Sequence, residues 1–236
     1  MNASPAREAL VTAAVVTTLV TLASRFVPLH SVATAIGTIF FGATWLMVFR
    51  RDDDAVVHAG LAFSGLVLPA RLEPSRITED LAAALVWALL LALAFFGPFY
   101  IGFRLYARWV WHVHPAAWPT VHSWGALNEA VGQFALVALP EEAFYRGYLQ
   151  TRLDDAWPAR SRVLGAPVGL SILVTSAIFA LGHVLTIHEA GRLAVFFPSL
   201  LFGWLRARTD GVGASIAFHA ACNLFSATLL QAYGPH

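Results

Sequence analysis

The fold of this chain is decided by an apolar stretch with charge in its middle, residues 129–149, which read EAVGQFALVALPEEAFYRGYL. Glu141 and Glu142 stand side by side in this stretch, and Arg146 follows shortly after them. The stretch has the length of about 20 residues that a helix needs to cross a hydrocarbon core of roughly 30 Å. Because ionisable side chains are costly inside a membrane, a spanning helix that carries three of them indicates a functional site.

The composition of the whole chain is that of a membrane protein. Of its 236 residues, 58% are hydrophobic and 12% are charged, whereas soluble domains average about 45–50% apolar and about a quarter charged. The formal net charge is +1, and no basic run indicates a nucleic-acid surface. We therefore expect an integral membrane protein in contact with the lipid bilayer, with no nucleic acid as a partner.

Seven segments are apolar enough to cross the bilayer. These are residues 9–27, 31–49, 81–103, 129–149, 165–183, 193–205 and 212–230. The sixth segment is short, and a weaker apolar run at 56–70 is interrupted by glycine and proline, so we expect that run to lie at the interface. The sequence thus predicts an all-α fold, a polytopic transmembrane helical bundle of about seven spans, with six to eight as the range.

The chain divides into two unlike parts. In residues 1–123 the charged residues fall in loops or at helix ends, as in the solvated cluster Asp52, Asp53 and Asp54, so this part is predicted to hold transmembrane helices and loops of unassigned role. In residues 124–236 polar groups fall inside the helices, and this part is predicted to be the catalytic helical core.

Arginine placement predicts the orientation of the bundle. Most arginines, such as Arg7, Arg50 and Arg152, fall at helix ends or loops on the side of the N-terminus, whereas Arg25 and Arg104 fall on the other side. By the positive-inside rule we expect the N-terminus in the cytoplasm and the C-terminus outside. The expected location is a bacterial plasma (inner) membrane.

Helix geometry assigns different surroundings to the two glutamates. Glu142 and Arg146 are four residues apart and lie on one helical face, with the acid N-terminal to the base, which favours an ion pair. Glu141 is rotated by about 100° from Glu142 and therefore needs a partner on another helix. A carboxylate that is not tied to a cation is available to accept a proton from water as a general base.

Two later apolar segments add imidazole and carboxamide groups. Phe179 and His183 are four residues apart, as are His219 and Asn223, so each pair shares a helical face. An imidazole N–H and a carboxamide NH₂ directed at one place are suited to stabilising a tetrahedral oxyanion. Each pair alone is also explained by an interfacial histidine or a helix–helix hydrogen bond. The combination with the glutamates indicates a hydrolytic site.

The three motifs, in chain order, are Glu-Glu-x-x-x-Arg, Phe-x-x-x-His and His-x-x-x-Asn. Over residues 129–230 this order resembles the CAAX-processing and bacteriocin-processing (CPBP, or Abi) intramembrane proteases, in particular the type II CAAX-prenyl-endopeptidase-like members. The resemblance implies a glutamic-type intramembrane endopeptidase whose partner is a membrane-anchored protein or peptide substrate. The substrate classes that it implies are CAAX-type tails, bacteriocin-type peptides and C-terminal sorting tails.

The resemblance also implies a role for each motif residue. Glu141 together with His183 would activate the attacking water, and His219 together with Asn223 would form the oxyanion hole. Of the two glutamates, Glu141 is favoured as the base because it lacks a cation on its own helix. The remaining motif residues would shape the site, namely Glu142, Arg146 and Phe179.

A zinc site is the alternative mechanism. Glu141, His183 and His219 are residue types that bind zinc, and a catalytic zinc usually takes three protein ligands and a water. Asn223, however, is better explained as an oxyanion donor than as a zinc ligand, and no His-Glu-x-x-His helix is present. We therefore favour metal-free hydrolysis and expect no cofactor.

Other functions fit the sequence less well. Ser176 and Ser215 lie in the catalytic part, but neither stands in the Gly-x-Ser-x-Gly elbow of serine hydrolases. A non-catalytic immunity or scaffold protein of the same fold is the main alternative to an enzyme, although no motif residue is missing. A proton-coupled transporter is the weaker alternative, because no internal repeat is evident.

Overall fold

A computed structural model of the protein describes residues 4–67, 74–115 and 123–233. Within these ranges the bundle consists of eight helices: α1 (Pro5–Phe26), α2 (Leu29–Phe49), α3 (Asp53–His58), α4 (Pro74–Trp111), α5 (residues 123–156), α6 (Leu170–Ile187), α7 (Phe196–Thr209) and α8 (Gly213–Tyr233). The smaller elements are a hairpin of β1 (Ser161–Val163) and β2 (Ala166–Val168) and 3₁₀ turns at Phe63–Gly65 and Ala190–Val195. The predicted all-α polytopic bundle is confirmed, with one short hairpin added.

Local sequence explains where the first helix begins and ends. The Ser4 hydroxyl accepts a hydrogen bond from the Arg7 N–H, and Pro5 occupies the first turn, where its missing N–H costs nothing. At the other end Val27 is extended, because a residue that precedes a proline, here Pro28, is disfavoured in the helical conformation.

The described helices fit the predicted spans in part. In the part of the chain that the structure describes, five helices are long and apolar enough to cross a membrane: α1, α2, α4, α6 and α8. The two remaining predicted spans correspond to α5, which carries the charged residues, and to α7, which has only 14 residues.

Two predicted segments begin three or more residues before the helix that each describes, whereas the third, at 81–103, is shorter than α4. The fifth, at 165–183, begins in the β-hairpin, where Gly165 adopts a φ of +84°, so that α6 starts at Leu170 and runs to Ile187. The sixth, at 193–205, begins in a 3₁₀ turn, and α7 continues to Thr209. Apolar content does not mark these ends, because the turn residues that precede each helix are also apolar.

The two loop predictions fall between α2 and α4. The Asp52 side chain accepts a hydrogen bond of 2.8 Å from the Ala55 N–H and caps α3, and all three aspartates of the cluster are exposed. The run at 56–70, predicted to be interfacial, contains the end of α3 and the turn Phe63–Gly65, while its residues 68–70 lie outside the described residues.

Ion pairs and hydrogen bonds identify the helix ends that meet at each face of the bundle. Glu8, at the start of α1, binds Arg51 after α2 at 2.7 Å and Arg152 near the end of α5 at 3.1 Å. We call this the Glu8 face. Arg25, at the end of α1, hydrogen-bonds His188 after α6, and we call this opposite side the Arg25 face.

The remaining helices alternate between these faces. Ser171, at the start of α6, donates to Asp154 at the end of α5, and Arg206, near the end of α7, donates to the His58 carbonyl at 2.8 Å. The far end of α8 lies against α4 at the Arg25 face. Seven helices therefore run alternately in opposite directions, and residues 5 and 233 lie at opposite faces. The assignment of the Glu8 face to the cytoplasm stays a prediction.

Helix α5 lies at the centre of the bundle although it carries the most charge. Its residues 140–151 are all buried, because α1 and α2 cover it on one side and α6, α7 and α8 on the other. The Phe40 ring of α2 packs 5.5 Å from Phe144 and 5.4 Å from Tyr145. The N-terminal helices thus shield the charged helix from lipid, which is the role that the structure gives to the first part of the chain.

The contact between α2 and α5 is unusually close at Gly37. A Cβ atom on Gly37 would lie 2.6 Å from the Leu136 carbonyl oxygen, whereas a Cβ on Gly42, on the same helix, would have nothing within 4 Å. Close approach of backbones at small residues is typical of packed membrane helices.

We predict that Gly37→Ala separates α2 from α5 and lowers the free energy of unfolding by roughly 1–3 kcal/mol, as overpacking does. The matched control Gly42→Ala should leave stability unchanged or raise it by about 0.5–1 kcal/mol, since alanine is the better helix former. Denaturant unfolding in detergent micelles measures both. Equal stability of the two variants would contradict the close contact.

Candidate active site

The two glutamates of the charged motif lie between two π-helical segments of α5, and Arg146 lies within the second. The segments are Gln133–Ala138 and Ala143–Gln150, and the turn Leu139–Glu142 between them is α-helical. π-Helical insertions in α-helices occur frequently at functional sites, where they change the direction in which side chains point. The irregularity of α5 therefore coincides with the residues that the sequence singles out.

Glu142 is the centre of a fully buried ionic cluster. Its Oε1 atom accepts from Arg146 Nη1 at 3.1 Å and from His219 Nδ1 at 2.8 Å. The side chains of Glu142 and Arg146 are both 0% exposed. Because the carboxylate is shared between a cation on its own helix and an imidazole on α8, the predicted helical ion pair is present and is joined to a second helix.

The Arg146 guanidinium is held by groups from three helices. Its Nη2 donates to the Ser199 carbonyl at 2.9 Å and to the Ser199 hydroxyl at 2.6 Å. Its Cζ lies 4.9 Å from the Phe179 ring and 5.1 Å from the Phe202 ring, within the range of cation–π attraction. A guanidinium has five N–H donors, so one carboxylate alone does not satisfy Arg146.

His219 is fixed in position by stacking as well as by its hydrogen bond. Its ring stacks on Phe202 with a centroid distance of 4.7 Å and meets the edge of Phe179 at 5.8 Å. Since Nδ1 donates to Glu142, the Nε2 atom is directed the other way, and it lies 4.0 Å from Glu141 Oε2. The two glutamates therefore flank one imidazole.

Glu141 has surroundings unlike those of Glu142. Its side chain is 11% exposed, against 0% for Glu142. The distance of 4.0 Å to His219 is too long for a direct hydrogen bond, and its Oε2 atom has no hydrogen-bond partner among the described residues. Glu142 Oε2 also has no partner among these residues, so the two carboxylates differ in their exposure and in the two hydrogen bonds that Glu142 Oε1 accepts. Glu141 is the less enclosed of the two.

His183 stands at the edge of the cluster. Its Nδ1 donates to the Phe179 carbonyl at 2.9 Å, and its ring packs 4.4 Å from the Phe179 ring. This hydrogen bond fixes the proton on Nδ1 and leaves Nε2 as an acceptor in the neutral ring. Among the described residues His183 makes no hydrogen bond with Glu141, so the structure does not join this predicted pair directly.

Asn223 is bound to a residue that the motifs did not include. Its Nδ2 donates to Gln133 Oε1 at 3.0 Å, so that α8 is tied to the start of the first π-helical segment of α5. Asn223 and His219 are one helical turn apart on α8 and are both anchored by side chains of α5.

The residues of the two alternative sites have the following surroundings in the described part of the chain. The Ser215 hydroxyl donates to the Val212 carbonyl at 2.9 Å, and the buried Ser176 hydroxyl has no hydrogen-bond partner in the described part of the chain, so neither is paired with a base. Within residues 4–67, 74–115 and 123–233, no three histidine, cysteine, aspartate or glutamate side chains are grouped to hold a metal ion. Metal-free hydrolysis stays a prediction.

Comparison with known proteins identifies the second part of the chain. The family model described as "Type II CAAX prenyl endopeptidase Rce1-like" matches residues 122–225, and all seven motif residues lie within this range. The match confirms the resemblance that the three motifs indicated. No curated protein and no solved structure is significantly similar to the chain.

We predict that the two adjacent glutamates differ in their effect on stability. Glu142→Gln should lower the free energy of unfolding by about 3–5 kcal/mol, because it leaves the buried Arg146 without its counter-charge. Glu141→Gln should change stability little, since the Oε2 atom of Glu141 makes no hydrogen bond. Denaturant unfolding in detergent micelles compares the two. A loss for Glu141→Gln as large as that for Glu142→Gln would contradict this assignment.

Proposed function

We propose that this chain, whose residues 122–225 match the Rce1-like family model of type II CAAX prenyl endopeptidases, is an intramembrane glutamic-type endopeptidase. The matched family is a protease family, and the apolar helices make the chain an integral membrane protein. The observation that carries the proposal is the unequal environment of two adjacent carboxylates. A pair of titratable groups in contrasting surroundings is a frequent basis for the division of roles in catalysis.

In this proposal Glu141 is the general base. It takes a proton from a water molecule as the water oxygen bonds to the scissile carbonyl carbon, and it then gives that proton to the leaving nitrogen as the C–N bond breaks. His183 assists as a second acceptor for the water, because its Nε2 atom carries the free lone pair. The hydrogen bond from His183 to the Phe179 carbonyl supports this role, since it fixes the required tautomer.

The oxyanion is stabilised from α8. Asn223 has two amide N–H groups, of which one is bound to Gln133 and the other is available for the oxyanion. His219 donates Nδ1–H to Glu142, so it donates from Nε2 only when both ring nitrogens carry protons. Glu142 thus acts on His219 rather than on the substrate.

An apolar cavity on another side of α7 and α8 supports a membrane-held substrate. It has a volume of about 440 Å³ and lies between α4, α7 and α8. Among its lining residues are Phe96, Phe197, Phe218 and Phe225. Helix α8 contributes Phe218 and Cys222 to this cavity, and the residues that follow them, His219 and Asn223, belong to the proposed oxyanion hole. None of the seven motif residues lines the cavity itself. The family match favours a CAAX-type tail over bacteriocin-type or sorting-tail substrates.

The proposed location is a bacterial plasma membrane with the N-terminus inside and the C-terminus outside. The Arg25 face carries Arg25, Arg104, Arg108 and Arg192, whereas more arginines lie at the Glu8 face, among them Arg7, Arg50, Arg51, Arg152, Arg206 and Arg208. This asymmetry supports a cytoplasmic Glu8 face by the positive-inside rule. Reporters fused to the two termini test the orientation, and a C-terminal reporter active only in the cytoplasm would contradict it.

We predict that Glu141→Gln abolishes cleavage of a membrane-held peptide with a CAAX-type tail, because it removes the base. Asn223→Ala should lower kcat by about 10²–10³, the usual loss for one oxyanion donor. The matched control is Glu189→Gln, an exposed glutamate paired with Arg192 after α6, which should keep wild-type turnover. The measurement is product formation by purified protein in vesicles, with and without a chelator.

Two results would overturn this mechanism. Wild-type turnover in Glu141→Gln would remove the proposed base. Complete loss of wild-type activity with chelator alone, and recovery with zinc, would replace the glutamic mechanism by a metal-dependent one. No cleavage by the wild type of any membrane-held substrate class would favour the non-catalytic scaffold.

A further inference from the structure

Gln133 and Asn223 form a hydrogen bond between α5 and α8 that no motif includes. Asn223 Nδ2 donates to Gln133 Oε1 at 3.0 Å, and both side chains are only partly buried. Asn223 makes no other hydrogen bond among the described residues. Gln133 therefore determines whether the NH₂ group or the Oδ1 atom of Asn223 points towards it. Gln133 also begins a π-helical segment, Gln133–Ala138, whose backbone is fixed by the close contact with α2.

The direction of the carboxamide matters for an oxyanion site. A terminal amide has a donor end and an acceptor end, and rotation by 180° exchanges them. With its NH₂ group bound to Gln133 Oε1, Asn223 keeps its second N–H available on the same side. With the amide reversed, the Oδ1 atom of Asn223 would take that place and would repel a developing negative charge.

We propose that Gln133 is a positioning residue that fixes the Asn223 carboxamide with its NH₂ group towards the reacting carbonyl. This inference rests on the proposed protease function. The two oxyanion donors are then oriented in the same way, each by a side chain of α5: His219 by Glu142, and Asn223 by Gln133. A hydrogen bond that served only to hold two membrane helices together would affect stability and not turnover.

The test is a double-mutant cycle on kcat and KM in vesicles, with a CAAX-type peptide as substrate. Gln133→Met removes the acceptor at nearly constant side-chain volume. It should lower kcat on the order of tenfold and leave KM unchanged. This loss is smaller than the decrease of about 10²–10³ in kcat expected when the donor itself is lost. In the Asn223→Ala background the same change should have no effect, because Gln133 acts only through Asn223. Gln133→Glu keeps an acceptor and should stay within about threefold of wild type.

The control is Gln150→Met, which removes a hydrogen bond from the same helix α5 to the Gly203 carbonyl. Gln150→Met should leave kcat unchanged when the rate is divided by the concentration of folded enzyme. Denaturant unfolding in detergent micelles gives the folded fraction. If Gln133→Met does not fold, Gln133→Lys, which offers donors and no acceptor, tests the direction of the amide: it should lower kcat when Asn223 is present and have no effect in the Asn223→Ala background.

Three outcomes would overturn the inference: wild-type kcat in Gln133→Met, an equal loss in the presence and absence of Asn223, or a loss in Gln133→Glu as large as in Gln133→Met. Failure of the proposed function is recognised separately. In that case the wild type does not cleave or Glu141→Gln cleaves equally well, and the inference falls with it. If wild type cleaves and Glu141→Gln does not, these three outcomes concern Gln133 alone.

Discussion

The structure depends on one buried carboxylate, that of Glu142, which binds Arg146 on its own helix and His219 on α8. Removing one member of such a cluster leaves an uncompensated charge in a low-dielectric interior. The folded state is therefore stable only when the carboxylate and its hydrogen-bond partners are all present. Ser199 brings α7 into the same cluster through Arg146. The aromatic rings of Phe179 and Phe202 close it off. The surrounding helices are arranged so that this polar centre has no contact with lipid.

The division of roles between the glutamates follows from this constraint. Neighbouring residues on a helix point about 100° apart, so when Glu142 is used for the cluster, Glu141 is directed elsewhere. The ring of His219 lies between them and couples the two, with one nitrogen on each side. In the proposed mechanism, a single helical turn therefore supplies both a structural anion, Glu142, and the general base, Glu141.

Much of this arrangement was predictable from the sequence, and the reasons for the rest are physical. The Glu142–Arg146 pair follows from i,i+4 spacing, and the need of Glu141 for a partner on another helix follows from helix geometry. The contacts of Ser199 and Gln133 depend on how α7 and α8 rotate against α5, which no local pattern encodes. Because the Arg146 guanidinium has five N–H donors, the sequence indicates that it needs an acceptor besides Glu142, but it does not identify that acceptor. The start of α6 was misplaced because the hairpin before it is apolar.

The most direct test of the account is an experimental structure of the protein with a peptide phosphinate, a stable mimic of the tetrahedral intermediate. The account predicts that one phosphinate oxygen lies within about 2.6–3.2 Å of the Glu141 carboxylate. The other oxygen should face His219 and Asn223, and the bonds from Glu142 to Arg146 and His219 should remain intact. A phosphinate bound by Glu142, with Arg146 released from it, would contradict the central claim.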